Sequence, residues 1–411
     1  MLFIGVLTAA AQSSINSPYT RYGLGDLIDP VSTNNAAMGG LAYGLRNSAH
    51  INVMNPASYT SVDSLSFMFD VGFSLNSSNY KENGIKANAK NSTFDYLTMQ
   101  FRLHKRLGMV MGFIPYSNVG YNFENTYKIE NSDNKYITNY FSGDGGMQQI
   151  FAGLGFKITN NLSIGANFGY LYGNIKYSTT GVPEGAAYTI NYNRISIDSY
   201  KFDFGVQYTQ PLNSKDELTI GLTYGMGHKL NSVEKVGTQL TNGEELNNLT
   251  EKAYYDAYSI PHTFGLGAVY SHDKKIKAGL DYTFQKWEGV NCNQEINDYS
   301  YNNRSKVAAG LEYLPNPLSR NYLGRISYRI GASFQNSYLK LPSGINGPKE
   351  CSASFGFGFP LKLYQRNSVL SLTGQYTRVN PAVKDMLSEN RFTIKIGLTF
   401  NERWFMKWRV N

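Results

Sequence analysis

The sequence predicts an all-β fold: a fourteen-stranded antiparallel transmembrane β-barrel with an N-terminal plug, or hatch, in its lumen. Three observations predict it. Apolar residues alternate with polar or small ones along most of the 411 residues. Short and long connections alternate between the segments that carry this pattern. Residues 12–63 precede the first such segment without sharing its alternation.

Composition narrows the alternatives. Charged residues make up 17% of the chain, against roughly 25% in soluble domains. Aromatic residues reach 14%, and there are 40 glycines and 2 cysteines. Such a chain is too apolar to stay disordered. Two cysteines build neither a disulfide scaffold nor a four-cysteine zinc site. The long apolar run is confined to the N-terminus, which excludes a helical membrane bundle.

That run, residues 1–11 (MLFIGVLTAAA), ends in small residues and is too short to span a bilayer, as in a signal peptide. No Lys or Arg precedes Arg21. The basic region is therefore missing, and the signal is expected to be truncated or to start upstream; a buried apolar strand is the alternative.

From about residue 64 the period is 2. Leu65, Phe67, Phe69, Val71, Phe73 and Leu75 alternate with Ser66, Met68, Asp70, Gly72 and Ser74. Ile276 to Phe284, Leu162 to Tyr170 and Phe392 to Phe400 repeat the pattern. A strand points successive side chains to opposite faces, so each segment has an oily face and a polar or small one. The segments predict a barrel over 64–401 and a periplasmic tail over 402–411. Short turns such as His104-Lys105-Arg106 and Thr159-Asn160-Asn161 follow even-numbered segments. Longer polar stretches such as 77–90, 122–144 and 232–252 follow odd-numbered ones. This puts all short turns at one end, as in outer-membrane barrels. A pair of soluble β-sandwiches alternates in the same way but has no reason to sort its loops. The expected location is the cell outer membrane, with lipid against the oily faces.

Residues 12–63 are rich in Gly, Asn and Ala and are long for a lead-in, so they are expected to pack inside the barrel. Within them lie Tyr22-Gly23-Leu24-Gly25, then Ala37-Met38-Gly39-Gly40-Leu41-Ala42, then Asn55-Pro56-Ala57-Ser58-Tyr59. Pro56 fixes its own φ and biases Asn55 toward extended geometry, while the Asn55 side chain can bond nearby backbone. Asn55, Pro56 and Ala57 are thus expected to redirect the chain from plug to wall. In the third segment, Pro115 cannot donate to a ladder and forces a bulge, a kink or an unpaired neighbour. Gly112 and Gly120 flank it.

The order of these motifs, together with Ile260-Pro261-His262-Thr263-Phe264-Gly265-Leu266-Gly267, resembles the FadL family of outer-membrane transporters for long-chain fatty acids and aromatic hydrocarbons. The resemblance implies a plug ending in Asn-Pro-Ala inside a fourteen-stranded barrel. It also implies a kinked third strand that opens a lateral path to the bilayer, here at Gly112, Pro115 and Gly120. The chain is similar too to the PorV-like barrels of Bacteroidetes type, which serve secretion machinery.

No Walker loop, Rossmann glycine pattern, His-Glu-x-x-His or Gly-x-Ser-x-Gly occurs. The five histidines are scattered, so neither an enzyme, nor a metal site, nor a cofactor is expected. The net charge of +8 is dispersed toward strand ends, where Lys and Arg snorkel to headgroups; no nucleic-acid partner is expected. Tyr170, Tyr172, Tyr282, Trp287, Trp404 and Trp408 are candidates for interfacial girdles. Cys292 and Cys351 fall at the extracellular end on different loops, as free thiols or as a bridge. Two functions remain. One is transport of a hydrophobic small molecule such as a long-chain fatty acid. The other is an accessory barrel bound to envelope proteins of secretion or outer-membrane assembly.

Overall fold

The structure is a computed structural model and describes residues 15–64, 66–128, 135–184, 187–241, 246–363, 366–384 and 386–403. The signal-peptide stretch 1–11, the last eight residues of the 402–411 tail, and with them Trp404 and Trp408, lie outside the described residues. No helix among the described residues is long and apolar enough to cross a membrane.

The wall begins with β1 (Ser66–Glu82), β2 (Ile85–His104), β3 (Leu107–Lys128), β4 (Tyr136–Lys157) and β5 (Leu162–Pro183). It continues through β6 (Tyr188–Pro211), β7 (Asp216–Gly225), β8 (His262–His272), β9 (Ile276–Lys286) and β10 (Arg304–Tyr313). It ends with β11 (Ser327–Gln335), β12 (Lys349–Leu363), β13 (Arg366–Asn380) and β14 (Ser388–Arg403). Each strand pairs antiparallel with the next, and β14 returns to β1 from Ser66↔Arg403 to Lys81↔Ser388. The 14-strand barrel is therefore closed, which removes the bare sheet edges that a bilayer does not tolerate.

The faces sort as the alternation requires. Phe73, Leu75, Phe264, Leu280 and Ile396 are exposed on the outside. Asp70, Ser74, Gln207, Asp281, Thr373 and Thr399 are buried on the inside. Polar side chains inside and apolar ones outside invert the order of a soluble sandwich.

What buries the inner face is the N-terminal segment. It contains a two-residue strand, Asp26–Leu27, one turn of helix, α1 (Thr33–Ala36), and a 3-10 turn, Pro56–Ser61. Ser32 caps α1, accepting from the Asn35 amide at 3.4 Å. The plug touches widely separated parts of the wall. Asp281 on β9 accepts from the Ala42 and Tyr43 amides at 2.6 and 2.9 Å. Gln207 on β6 donates to the Tyr43 and Leu45 carbonyls at 2.8 and 3.2 Å. Thr373 on β13 donates to the Thr33 carbonyl at 2.9 Å. The inward glycines make room for this backbone: a Cβ at Gly165 would stand 2.4 Å from the Pro56 carbonyl carbon, and one at Gly221 would stand 1.9 Å from the Tyr43 oxygen.

The wall rises higher than the alternation indicates. Residues 77–90 are not a loop: β1 and β2 run through them to a tight turn at Asn83-Gly84, with φ of 46° and 84°. Much of 122–144 continues β3 and β4. The stretch 232–252 belongs to a hairpin, Ser232–Thr241 with Leu246–Tyr255, whose first strand pairs with β6. These parts stand above the apolar belt, so no oily face marks them in the sequence.

Candidate functional site

Between β2 and β3 the wall splits. β2 pairs with β3 only from Leu97↔Phe113 to His104↔Leu107. Beyond that, β2 stays paired to β1 as far as Ile85, and β3 stays paired to β4 as far as Lys128. The two hairpins thus diverge above the Phe94–Phe113 ring contact, where the centroids lie 5.7 Å apart.

The residues singled out in the third segment fall on either side of this point. Gly112 lies in the paired part, opposite Thr98, where a Cβ would stand 2.6 Å from the Leu97 oxygen. Pro115 lies just above, opposite Gln148, and the register shifts between Pro115 and Ser117. The extra residue of this bulge is Tyr116. A proline ring and a bulge together leave β3 without a matching ladder toward β2. Gly120 lies higher, and its amide and carbonyl both bond the Thr20 hydroxyl at 3.2 Å.

The bare edge of β3 is met by the plug. Asp26 pairs with Asn118 and Leu27 with Ser117, and the Ile28 amide donates to the Tyr116 carbonyl at 2.9 Å. The approach is close: Gly25 has φ +85°, and a Cβ there would lie 2.5 Å from the Asn118 oxygen.

Two cavities lie behind the split. The larger, about 200 Å³, is lined by Asp26, Asp29, Asp95, Arg304, Arg391 and Lys395 among other polar groups. The smaller, about 100 Å³, has an apolar side made by Leu27, Ile28, Val53, Met54, Ile114 and Pro115. A narrow crevice lined by Ile28, Pro30, Val53, Tyr96, Ile114 and Pro115 sits at the split itself. Lys306 and Arg304 hold Asp29 at 2.7 and 3.3 Å, Arg391 holds Asp26 at 3.4 Å, and Lys395 faces Asp95 at 3.5 Å. Glu350, which also lines the larger cavity, accepts from Gln335 at 2.7 Å.

The plug motifs act as anchors. Asn55 accepts from the Ala57 amide at 3.1 Å and donates to the Tyr43 carbonyl at 2.8 Å and the Val206 carbonyl of β6 at 3.2 Å. Pro56 and Ala57 follow it, buried, in the 3-10 turn. Gly39 has φ +71° and lies so near β11 that a Cβ would stand 2.5 Å from the Ala332 oxygen; Gly40 has φ +89°. His50 bonds Asn34 at 2.8 Å and Arg329 at 3.4 Å, beside the Arg329–Glu312 ion pair at 2.6 Å, as expected of a packing histidine.

At the tall end of the lumen packs a cluster that includes Leu24, Tyr258, Trp287, Tyr299, Tyr301 and Tyr338. Tyr338 hooks the plug: its hydroxyl donates to the Gly25 carbonyl at 2.6 Å and accepts from the Leu24 amide at 3.1 Å. Trp287 is fully buried here, 4.7 Å from the Tyr338 ring centroid, so it is not a girdle residue. Tyr170 and Tyr282 are exposed, as girdle residues must be. Cys292 is buried in this cluster and Cys351 is exposed; both are free. Burial pushes the Cys292 thiol up to about 11. Among the described residues no three of His, Cys, Asp and Glu gather as metal ligands would.

Sequence reasoning missed Asp26, Asp29, Arg304, Lys306 and Arg391. The signal that could have found them is the pair Arg304 and Lys306, two positions apart and therefore on one face of a strand.

The fold is shared with solved structures. A Pseudomonas aeruginosa FadL homologue is 14% identical with a TM-score of 0.62, over 91% of this chain and 99% of that one. The P. putida toluene transporter TodX is 13% identical with a TM-score of 0.61, over 91% and 98%. The CymD monoaromatic hydrocarbon channel is 12% identical with a TM-score of 0.59, over 92% and 98%. These identities carry the fold and nothing more. No curated protein matches the chain. Its sequence matches the BamG family over residues 1–411, the whole length, and the chain belongs to that family.

Proposed function

We propose that the protein is an outer-membrane barrel that passes small hydrophobic molecules sideways through its wall. The observation that carries this reading is the split above Leu97↔Phe113, backed by a cavity whose near side is apolar. A hydrophobic solute gains by leaving water, and a lateral exit spares it the aqueous periplasm. The likeness to FadL-type barrels, whose solved members include a toluene transporter, supports the same reading. The short turns then face the periplasm and the tall strands the exterior. Gly112, Pro115 and Gly120 shape the exit, and the Asn55-Pro56-Ala57 and Gly39-Gly40 anchors hold the plug. Long-chain fatty acids and monoaromatic hydrocarbons are the substrate classes to test, and no catalysis is involved.

The test is binding of labelled oleate and labelled toluene to the purified protein in detergent, with uptake by cells that have or lack it. Saturable binding and uptake that falls on deletion are expected. Absence of both removes the reading.

A second reading is favoured by the packing at the tall end. An aromatic cluster packs within the lumen there, and a structural barrel needs no open mouth. The protein would then be an accessory of an envelope secretion or assembly complex. Isolation from native membranes with a stoichiometric partner, combined with no oleate or toluene binding, is the outcome that selects it.

A further inference from the structure

We propose that residues 26–31 form an ion-latched partition across the lumen, and that release of its two carboxylates joins the two cavities and uncovers the split in the wall. Leu27, Ile28, Asp29 and Arg304 line both cavities, so this stretch is the divider between them. The inference rests on the transport reading only for the identity of what would pass.

The partition is held from two sides. On one side is a two-residue ladder to β3, with the Ile28 amide on the Tyr116 carbonyl. So short a ladder is weak by itself, because two-stranded pairing is marginal even at greater length. On the other side are three ion-pair contacts to two separate strands. Lys306 and Arg304 on β10 bind Asp29, and Arg391 on β14 binds Asp26. The carboxylates therefore decide whether the segment stays against β3.

These contacts are built to open. The Asp26 and Asp29 side chains remain 30% and 20% accessible, since they border the larger cavity. A carboxylate that meets water when it lets go avoids the large penalty of a charge stranded in a dry interior. The ends of the segment are fixed. Tyr338 holds Gly25 on one side. On the other, Ser32 caps α1, and α1 is tied to the wall through Thr33 and Thr373. What lies between is a strap with two anchored ends. Moving it exposes Ile114, Pro115 and Tyr116, the residues at the split.

The experiment uses the full chain in detergent, with heat-modifiable gel migration to show that the barrel is folded. Amide hydrogen exchange is read for residues 22–32 in the wild type, Asp29→Asn, Asp26→Asn/Asp29→Asn and Lys306→Gln. The Ile28 amide is expected to exchange at least tenfold faster in the double variant, with smaller increases in the single ones. Amides of residues 36–59 should keep their wild-type rates. Unchanged exchange at Ile28 overturns the latch. Equal acceleration through 36–59 also overturns it, because Asp29 would then be a general staple of the plug.

A second measurement fixes the partition in place. Leu27 and Ser117 are directly opposed, and the Ile28–Tyr116 bond makes them a non-hydrogen-bonded pair, with Cα atoms close enough for a disulfide. Leu27→Cys/Ser117→Cys is expected to oxidise readily. It should also slow the binding of the apolar fluorophore 1-N-phenylnaphthylamine at least fivefold, reversibly on reduction, while the double Asn variant speeds it. Equal fluorophore binding by oxidised and reduced protein overturns the gating role. A fluorophore that never binds, with Ile28 exchange still accelerated, counts against hydrophobic transport and leaves the latch standing.

Discussion

The Ile28 amide reaches the carbonyl of Tyr116, the extra residue of the β3 bulge, over 2.9 Å. One bond thus links the N-terminal plug to the place where the wall departs from a regular ladder. The bulge turns β3 away from β2, and the plug supplies a partner for the edge this leaves.

If the bulge sets the split, deleting Tyr116 should let β2 and β3 pair further. The register then continues from Leu97↔Phe113 toward Tyr96 and Asp95. Amide exchange at Asp95 and Tyr96 should slow by tenfold or more, and uptake of labelled oleate should fall. Unchanged exchange would place the cause of the split elsewhere.

Asn55 should matter more than Pro56. Asn55→Ala leaves the buried Tyr43 carbonyl without one of its donors and the Ala57 amide without its acceptor. Each such loss costs about 1–3 kcal/mol. Pro56→Ala removes only a preset φ, roughly 1 kcal/mol or less. Thermal unfolding followed by near-ultraviolet circular dichroism should show the larger drop for Asn55→Ala. The reverse order would demote the Asn55 side chain to a linker.

Two glycines separate strain from crowding. Gly39 and Gly84 both have φ in the left-handed region, +71° and +84°. A Cβ at Gly84 meets nothing within 4 Å, while one at Gly39 meets the Ala332 backbone at 2.5 Å. Gly84→Ala should cost about 1–2 kcal/mol, the price of the conformation alone. Gly39→Ala should cost distinctly more or loosen the plug, as limited proteolysis would report. Equal effects would mean that the plug shifts freely from β11.

The two faces of β9 should respond differently to charge. Leu280 is 57% exposed on the outer face, and Arg on such a face near a bilayer midplane costs about 2–4 kcal/mol. Leu280→Arg should impair assembly, scored by heat-modifiable migration. Asp281→Asn should assemble, since an amide oxygen still accepts from the plug. Asp281→Ala should assemble with a looser plug, because the Ala42 and Tyr43 amides lose their acceptor.

The cysteines should label unequally. With its thiol pushed up to about 11 by burial, Cys292 carries little thiolate at neutral pH, and thiolate is the nucleophile. In folded protein at pH 7.5, maleimide should modify Cys351 and spare Cys292, with both modified after denaturation. Raising the pH toward 9 should raise the Cys292 rate about tenfold per pH unit from a very low base, with thiolate still a minor fraction. Fast labelling of Cys292 would show that the aromatic cluster opens.

The sequence by itself determined the wall where its outer face is apolar. From Phe67 to Leu75, or Phe392 to Phe400, one face must be oily and the other must suit a crowded lumen, and period 2 follows directly. It also marked the plug by lack of alternation, and Pro115 as a residue that no continuous ladder accepts. Where both faces are largely exposed, as along 122–128, no face is selected and the strand left no periodic trace; along 232–241 the buried positions include the polar Ser232, Glu234 and Thr241, so no oily face marks it. Asn83-Gly84 was legible as a hairpin turn by its residue types alone, yet its flanks lacked the apolar pattern that gives such a turn weight. Only the tertiary structure decided that Asp26 and Asp29 meet Arg391, Arg304 and Lys306, and that Trp287 turns inward to Tyr338 rather than outward to lipid. The ion pairs join residues hundreds of positions apart, and they exist because barrel closure at β1 and β14 brings opposite walls within reach of one plug.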